Sequence, residues 1–493
     1  MAKLLTRAAL LALSLLAIML VYAPIYAQTA GSVGVGDPYF PLLGNGGYDV
    51  QHYDIDLTVD VDNQTVAGTT TIEALATESL SSFNLDYFGP EIATITVNDA
   101  PSDFTRSRGE LRVQLPEPLE ADDAFTVVVD YGGAPGELTS PTSFAALGWI
   151  ATRDGFTALG EPSGSSSWYP VNEHPLDKAT YTFKITVAQP LVAVANGVLE
   201  SVTEDGDQSV YVWQMEQPMA SYLARLSVGD FTRSESVTPE GRTIRNYFPT
   251  RLAAQGEEAF AREGDMVDYF SSIFGDYPFD EYGSIVIDAE IGFALENQSM
   301  STFGPRVIDS ALQGDPVRGE GTIAHELAHQ WFGDSVSLAS WQDIWLNEGF
   351  ATYASWLWFE HTAGRNVLNQ IVAAVHGQLI GDTLREDGLS EDAVRERLEQ
   401  IPVPGNPTRD GMFSSDGVYS RGAVVLHALR LTIGDEAFFD TLRSYVADFQ
   451  YGNATTADFI ASAEASSGQD LEDFFQHWLF DPIVPELPTE AEA

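Results

Sequence analysis

The spacing of the hydrophobic residues changes about halfway along the chain, and this change limits the folds that the chain can adopt. Between Tyr48 and about Phe231, apolar and polar residues alternate, as in YDIDLTVDVD, where Ile55 and Leu57 lie two positions apart. A period of two is typical of strands that bury one face. Turns rich in Gly, Pro, Asp and Asn separate several such stretches. Residues 48–232 are therefore predicted to form an N-terminal antiparallel β-sheet domain.

The second half of the chain has helical spacing instead. In AAQGEEAFAREGDMVDYFSSIFG the apolar residues recur every three or four positions, and Gly275 with Pro278 ends the predicted helix. The stretch YGSIVIDA predicts one short buried strand. Further helices are predicted from Asn347 to about His361, near Glu391–Glu399, and from starts near Tyr419 and Thr456. Residues 233–480 are thus predicted to be mainly helical, which makes the chain a multidomain α+β protein.

The N-terminus resembles an export signal. Lys3 and Arg7 precede an apolar run from Ala8 to about Ala23, which is short for a membrane span. Residues 1–27 are therefore predicted to be a signal peptide cleaved after Ala27, with an uncleaved N-terminal anchor as the alternative. Residues 28–47 are assigned to a linker, and the acidic, proline-containing residues 481–493 to a disordered tail. The mature protein is expected to be extracellular, periplasmic or in the cell envelope.

Charge and cysteine content exclude several classes of function. The chain has 24 Lys and Arg against 72 Asp and Glu, a formal net charge of −48, so it repels nucleic acid and anionic membranes as partners. It contains no cysteine, which excludes disulfides, thiol catalysis and cysteine-ligated zinc. A metal bound to this chain would need imidazole and carboxylate ligands. The oligomeric state cannot be inferred from the sequence.

The stretch GTIAHELAHQ carries a candidate metal clamp. On a helix, His325 and His329 lie on one face about one turn apart, so both imidazoles can reach one zinc ion. Glu326 points elsewhere and can serve as a base over an open coordination position. Three polar residues that merely share a helix are the alternative. A third ligand is available at Glu348, nineteen residues after His329, although an acidic residue at a helix start needs no metal.

The pair HELAH and WLNEGFA at this separation resembles the M1 family of zinc aminopeptidases, the gluzincins whose catalytic domain is thermolysin-like. The stretch GFALENQSM is similar to the family's exopeptidase motif, with Ala294, Glu296 and Asn297 in register and Phe293 where the family has glycine. The stretch GVYSRGA resembles the family segment whose tyrosine, here Tyr419, stabilises the oxyanion. Upstream, LGEPSGSSSWYP resembles the segment whose acidic residue, here Glu161, faces the substrate.

The resemblance implies a saddle-like β domain followed by a thermolysin-like catalytic domain, in a short form that lacks the family's C-terminal helical domain. It implies one Zn²⁺ per chain, held by His325, His329 and Glu348. Glu326 would be the general base and Tyr419 the oxyanion donor. The expected substrates are peptides with a free N-terminus, bound through Glu161, Ala294, Glu296 and Asn297, and no stable membrane partner is expected.

Three alternatives to a zinc aminopeptidase remain open at the level of the sequence. A thermolysin-like endopeptidase would share the zinc chemistry but would not need carboxylates that bind an amine. An epoxide hydrolase of the same family would act on a lipid, and nothing in the sequence indicates a long apolar channel. A non-catalytic binding protein on this scaffold is expected to have lost metal ligands, and the sequence retains all three.

Overall fold

The computed structural model describes residues 29–139 and 146–489 of the chain. The predicted signal peptide lies outside the described residues, as do residues 490–493 of the predicted tail. Within these two ranges, no helix is long and apolar enough to cross a membrane.

The first half of the chain is built from strands. In chain order they are β1 (Thr29–Ala30), β2 (Tyr48–Asp60), β3 (Thr65–Ala76), β4 (Leu80–Asp86), β5 (Glu91–Val97), β6 (Ala100–Pro101), β7 (Phe104–Ser107), β8 (Glu110–Leu119), β9 (Ala124–Gly133), β10 (Glu137–Thr139), β11 (Ala146–Ala151), β12 (Phe156–Leu159), β13 (Lys178–Ala188), β14 (Val192–Ala195), β15 (Val198–Asp205), β16 (Gln208–Ala220) and β17 (Leu226–Gly229). The predicted N-terminal β domain is confirmed.

Three sheets form this domain. The largest has the order β15-β16-β13-β2-β3-β9-β5-β6, a second has the order β10-β11-β12-β17-β14, and a third has the order β1-β4-β8-β7. The alternation seen in the sequence buries Ile55 and Leu57 in the core. The pairing is antiparallel except between β2 and β13 and between β1 and β4. Strand periodicity is the same for both directions of pairing, so the sequence did not reveal these parallel pairs.

The second half contains a small sheet and many helices. The strands are β18 (Phe231–Val237), β19 (Thr243–Pro249), β20 (Ser284–Val286), β21 (Ser301–Phe303), β22 (Ser337–Leu338) and β23 (Asn453–Ala454), and β18 to β21 form one sheet in that order. The helices are α1 (Ala253–Ala259), α2 (Glu263–Phe274), α3 (Arg306–Leu312), α4 (Glu320–Ala328), α5 (Trp345–Ala363), α6 (Arg365–Leu379), α7 (Asp382–Glu386), α8 (Glu391–Leu398), α9 (Arg421–Ile433), α10 (Asp435–Phe449), α11 (Thr456–Ser467) and α12 (Glu472–Phe475).

One predicted helix is divided in two. The apolar spacing predicted a continuous helix up to Gly275, but α1 ends at Ala259 and α2 begins at Glu263. At the break, the ring of Phe260 packs against Phe248 and Phe303, with centroids 5.5 and 5.3 Å away. Phe248 and Phe303 lie outside the predicted helix, so the spacing of apolar residues within it could not predict these contacts.

Helix α5, which carries Glu348, and helix α9, which follows the turn with Tyr419, meet backbone to backbone. A Cβ atom on Gly349 of α5 would lie 3.0 Å from the Cα atom of Gly422 in α9. Only glycine at both positions permits so close an approach. The contact lies one residue after Glu348 and three residues after Tyr419, and it therefore brings these two side chains together.

The two halves of the chain are joined through buried polar groups. Asp37, in the segment that the sequence assigned to a linker, accepts hydrogen bonds from the backbone N–H of Trp341 at 2.9 Å and from Ser340 Oγ at 3.0 Å. From β13, Lys178 Nζ donates to the carbonyl oxygens of Asp334 and Ser335 at 2.9 and 3.0 Å. These contacts fix the β domain against the loop that follows the HELAH helix.

Candidate active site

Three candidate ligands form a compact triangle. His325 Nε2 lies 3.1 Å from His329 Nε2 and 3.1 Å from Glu348 Oε2, and His329 Nε2 lies 3.5 Å from the same carboxylate oxygen. Bonds of about 2.0–2.2 Å in a tetrahedral zinc site require ligand atoms about 3.3–3.6 Å apart. The triangle is close to this size, and its two imidazoles and one carboxylate are a catalytic zinc ligand set. These residues therefore fit a zinc ion.

The imidazole rings are oriented by groups behind them. His329 Nδ1 lies 3.0 Å from the carbonyl oxygen of Phe332, to which it donates, and His325 Nδ1 lies 3.5 Å from Thr352 Oγ1. The bond to the carbonyl oxygen places the proton of His329 on Nδ1 and leaves its Nε2 free to bind a metal. Helix α4 and its C-terminal cap residue place the two histidines one turn apart, and α5 contributes Glu348.

Glu326 lies beside the triangle without belonging to it. Glu326 is buried, and one of its carboxylate oxygens lies within 4.8 Å of a carboxylate oxygen of Glu296 and a ring nitrogen of His329. Burial raises the pKa of Glu326 well above the ordinary value, and the neighbouring Glu296 and Glu348 add to the effect, while His329 opposes it. A carboxylate with a raised pKa is a stronger proton acceptor.

Tyr419 lies beside the triangle and lines the same cleft. It belongs to a π-helical turn, Ser415–Ser420, that precedes α9, a kind of turn that often accompanies functional sites. Its ring stacks parallel to that of His325, with centroids 5.9 Å apart. Burial raises the pKa of Tyr419 well above its ordinary value, and Glu348 raises it further. The phenol therefore stays protonated and can donate a hydrogen bond.

Two further carboxylates line the same cleft. Glu296 is buried, and Tyr222 donates a hydrogen bond to its Oε1 atom at 3.4 Å. Glu161 Oε1 is buried and has no hydrogen-bond partner within the described ranges. Burial raises the pKa of Glu161, and repulsion from Glu296 and Glu348 raises it further. Burial also raises the pKa of Glu296. A cation placed between these carboxylates would relieve that repulsion.

The structure separates the predicted substrate-contacting residues Ala294 and Asn297. Ala294 lines the cleft. Asn297 is fully buried behind it, donates to the carbonyl oxygen of Leu223 at 3.0 Å and accepts from Thr302 at 2.6 Å. Its side chain thus supports the segment that carries Glu296 instead of lining the cleft.

The cleft has a volume of about 640 Å³. Its walls are formed by Leu147, Glu161, Ile291, Gly292, Phe293, Ala294, Leu295, Glu296, His325, Glu326, His329, Glu348, Phe413, Ser415 and Tyr419. No lysine or arginine belongs to this set. No motif in the sequence marks Leu147, Phe413 and Ser415, or Tyr222 behind the wall, so these residues were not predicted.

Two family models match the chain. The model described as the peptidase M1 N-terminal domain matches residues 49–223, and the model described as the peptidase family M1 domain matches residues 259–478. The chain is 29% identical over 336 residues to "Probable aminopeptidase 2" of Sulfurisphaera tokodaii, covering 66% of this chain and 41% of that relative. It is 26% identical over 477 residues to "Aminopeptidase N" of Streptomyces lividans, covering 90% and 52%. The chain thus spans about half the length of these curated relatives.

A solved structure is similar over its whole length. The M1 zinc metallopeptidase of Deinococcus radiodurans is 30% identical to this chain, with a TM-score of 0.79, covering 93% of this chain and all of that one. A Glu-to-Ala mutant of that enzyme was solved with a Tyr-Ser-Ala substrate, and matches with a TM-score of 0.80.

Proposed function

The chain belongs to peptidase family M1, and from that membership we propose that it is a zinc-dependent aminopeptidase that removes single N-terminal residues from peptides. One observation carries the proposal. A metal-ligand triangle, a buried carboxylate beside it and a separate pair of carboxylates all face one cleft. The first two features suit peptide hydrolysis in general, and the third suits recognition of a free amine.

His325, His329 and Glu348 would hold the zinc ion. When bound, zinc would supply a Lewis acid that polarises the scissile carbonyl and acidifies water. Glu326 accepts the proton of the attacking water and later passes it to the nitrogen of the leaving peptide. Tyr419 donates a hydrogen bond to the oxyanion as it forms. Each of these roles fits the position that the side chain occupies beside the triangle.

Glu161 and Glu296 determine which peptide bond is cleaved. A substrate ammonium between them neutralises two like charges and makes charge-assisted hydrogen bonds, each worth about 1.5–3 kcal/mol. An amine fixed there leaves room for one residue before the carbonyl that reacts at the triangle. The proposal therefore expects cleavage after the first residue. The Tyr-Ser-Ala complex of the Deinococcus relative supports peptides as the substrate class.

Metal removal tests the hydrolytic part of the proposal. A panel of aminoacyl fluorogenic amides should be hydrolysed, a zinc chelator should abolish hydrolysis, and added Zn²⁺ should restore it. We expect one zinc per chain by elemental analysis of the purified protein. Glu348→Ala should lose both metal and activity, because it removes a direct ligand. Full activity in a metal-free preparation would contradict the proposal.

We further propose that the protein acts outside the cytoplasm. The support is the basic start at Lys3 and Arg7, followed by the apolar run to about Ala23. Expression of the whole chain with mass spectrometry of the exported form tests this. A mature N-terminus at Gln28 is expected, and a protein retained in the cytoplasm would contradict the proposal.

A further inference from the structure

Glu173 lies outside the cleft but organises a turn that borders it. Its Oε1 atom accepts hydrogen bonds from the backbone N–H groups of Gly164, Ser165 and Ser166, at 2.7, 2.6 and 3.2 Å. Glu173 is fully buried, so water does not compete for these bonds. Three donors on one oxygen hold the turn Ser165–Ser167 through a side chain, and the backbone N–H of Phe88 adds a hydrogen bond to the carbonyl oxygen of Ser166 at 2.7 Å.

The same turn determines where Glu161 lies. Glu161 follows the last residue of β12 by two positions and precedes the first residue of the turn by four. The loop between them closes on itself, because a Cβ atom on Gly164 would lie 2.8 Å from the Cα atom of Gly160. Glu161 is therefore carried at the tip of a tight loop whose base is held by Glu173.

The turn also supports the second carboxylate of the cleft. Ser165 Oγ donates to the carbonyl oxygen of Ser221 at 2.7 Å. The next residue, Tyr222, donates to Glu296 Oε1 at 3.4 Å. One turn thus connects the loop that carries Glu161 with the tyrosine that contacts Glu296.

Glu173 is itself held in place from behind. Its backbone N–H donates to Asp86 Oδ2 at 2.9 Å, and Asn45 Nδ2 donates to the same oxygen at 3.1 Å. Asp86 lies at the end of β4, and Asn45 lies in the segment before β2. Glu173 therefore connects β4 and the segment before β2 with the loop that carries Glu161.

We propose that Glu173 is a positioning residue for recognition of the substrate amine. This inference rests on the proposed function, because amine binding by Glu161 and Glu296 is part of that function. Without the acceptor oxygen of Glu173, the three N–H groups lose their common partner and the Glu161 loop loses its base. A charged group displaced by about 1 Å loses much of its effect on a bound substrate.

Two inhibitors that differ only in the amine provide the test. L-Leucine hydroxamate and 4-methylpentanohydroxamate present the same chelating group and side chain, but only the first carries an ammonium. The ratio of their inhibition constants therefore measures amine recognition separately from metal binding. In Glu173→Ala the preference for the amine-bearing inhibitor should fall about tenfold or more, the effect of weakening one charge-assisted hydrogen bond. Glu173→Gln keeps an acceptor oxygen and should retain most of the preference.

A matched control separates positioning from general stability. Glu263 is also fully buried and is bonded to side chains, those of Asn246 and Ser284, but it lies in the catalytic half away from the cleft. Glu263→Ala should keep the wild-type inhibitor ratio within about threefold, as expected for a change that leaves the amine contacts intact. If Glu173→Ala does not fold, Gly164→Ala takes its place, since it forces the same loop apart and should lower the ratio equally.

The outcomes distinguish the two proposals. A folded, zinc-containing Glu173→Ala variant, or in its place a folded Gly164→Ala variant, with the wild-type ratio would overturn the positioning role and leave the aminopeptidase proposal intact. Equal inhibition of the wild-type enzyme by both compounds would overturn amine recognition, and both proposals would fail with it.

Discussion

Four carboxylates and two imidazoles line the cleft. The charge of these carboxylates must be balanced by cations bound in the cleft. The carboxylates are those of Glu161, Glu296, Glu326 and Glu348. Like charges in a buried site raise one another's pKa unless a cation lies between them. A metal at the triangle and a substrate ammonium at Glu161 and Glu296 would provide that compensation at the two ends of the cleft.

Glu326→Gln tests the general base. The amide has nearly the same shape but cannot accept a proton, so we expect the zinc content to be unchanged and kcat to fall by about 10²–10⁴-fold. Steady-state kinetics with an aminoacyl amide and elemental analysis measure the two quantities. A kcat within about threefold of wild type, far less than loss of a base requires, would assign the base to another residue.

Spacing within one helix was enough to identify part of the site from the sequence. His325 and His329 lie on one face because they are four residues apart, and the structure places their Nε2 atoms 3.1 Å from each other. Tyr222 could not be found in this way, because a tyrosine after a strand carries no signal of what it contacts. The motif predicted that Asn297 contacts the substrate, and the structure shows that its side chain is buried in the core.

The contact between α5 and α9 controls the geometry of the site at the level of helices. Gly349→Ala would place a Cβ atom 3.0 Å from the backbone of Gly422, so the helices must separate. We expect a loss of about 1–3 kcal/mol in the free energy of unfolding, typical of overpacking, and a lower kcat because Tyr419 moves away from Glu348. Denaturant unfolding and kinetics measure both effects.

Gly377→Ala is the matched control for that substitution. Gly377 lies within α6, and its added Cβ atom would be 3.4 Å from Asp382 Oδ2, an ordinary contact. Alanine should therefore stabilise this helix by about 0.5–1 kcal/mol and leave kcat unchanged. Equal behaviour of the two variants would show that the backbone contact between α5 and α9 does not matter.

Secondary structure was predictable where the hydrophobic period was long and regular. The strands of the first half and helices such as α5 and α8 follow from their patterns. The break between α1 and α2 and the parallel pairing of β2 with β13 depend on contacts between residues that are distant in the chain. The π-helical turn before α9 likewise has no local signature, so the predicted helix near Tyr419 begins at Arg421.

Asp37 joins the two halves of the molecule and should give its stability a pH dependence. Burial alone would raise the pKa of Asp37, but hydrogen bonds from His174, Phe40, Trp341 and Tyr39 outweigh burial and lower the pKa below its usual range. Because the folded pKa is depressed, Asp37 contributes stability above about pH 4, the unfolded value, and loses it as the pH falls through the folded pKa.

Asp37→Asn tests this contribution. At pH 7 we expect the variant to lose about 1–3 kcal/mol in the free energy of unfolding, the cost of weakening buried charge-assisted hydrogen bonds. The difference from wild type should shrink as the pH falls below about 4. Thermal unfolding across pH measures it, with the exposed Asp62→Asn as a variant of equal charge change. A difference that is constant with pH would contradict the assignment.

Hydrolysis of peptides through recognition of a free N-terminal amine is the activity that we propose for the cleft. The most direct measurement compares a peptide with its N-acetylated twin, using the zinc-loaded wild type and Glu296→Ala. An acetyl group removes the charge and leaves buried carboxylates without a partner, a mismatch that can cost about 10⁴-fold in kcat/KM. We predict release of single N-terminal residues from the free peptide, near-complete rejection of the acetylated one, and a large loss of kcat/KM in Glu296→Ala. Comparable hydrolysis of both peptides by the wild type would contradict the aminopeptidase assignment and leave a zinc endopeptidase in its place.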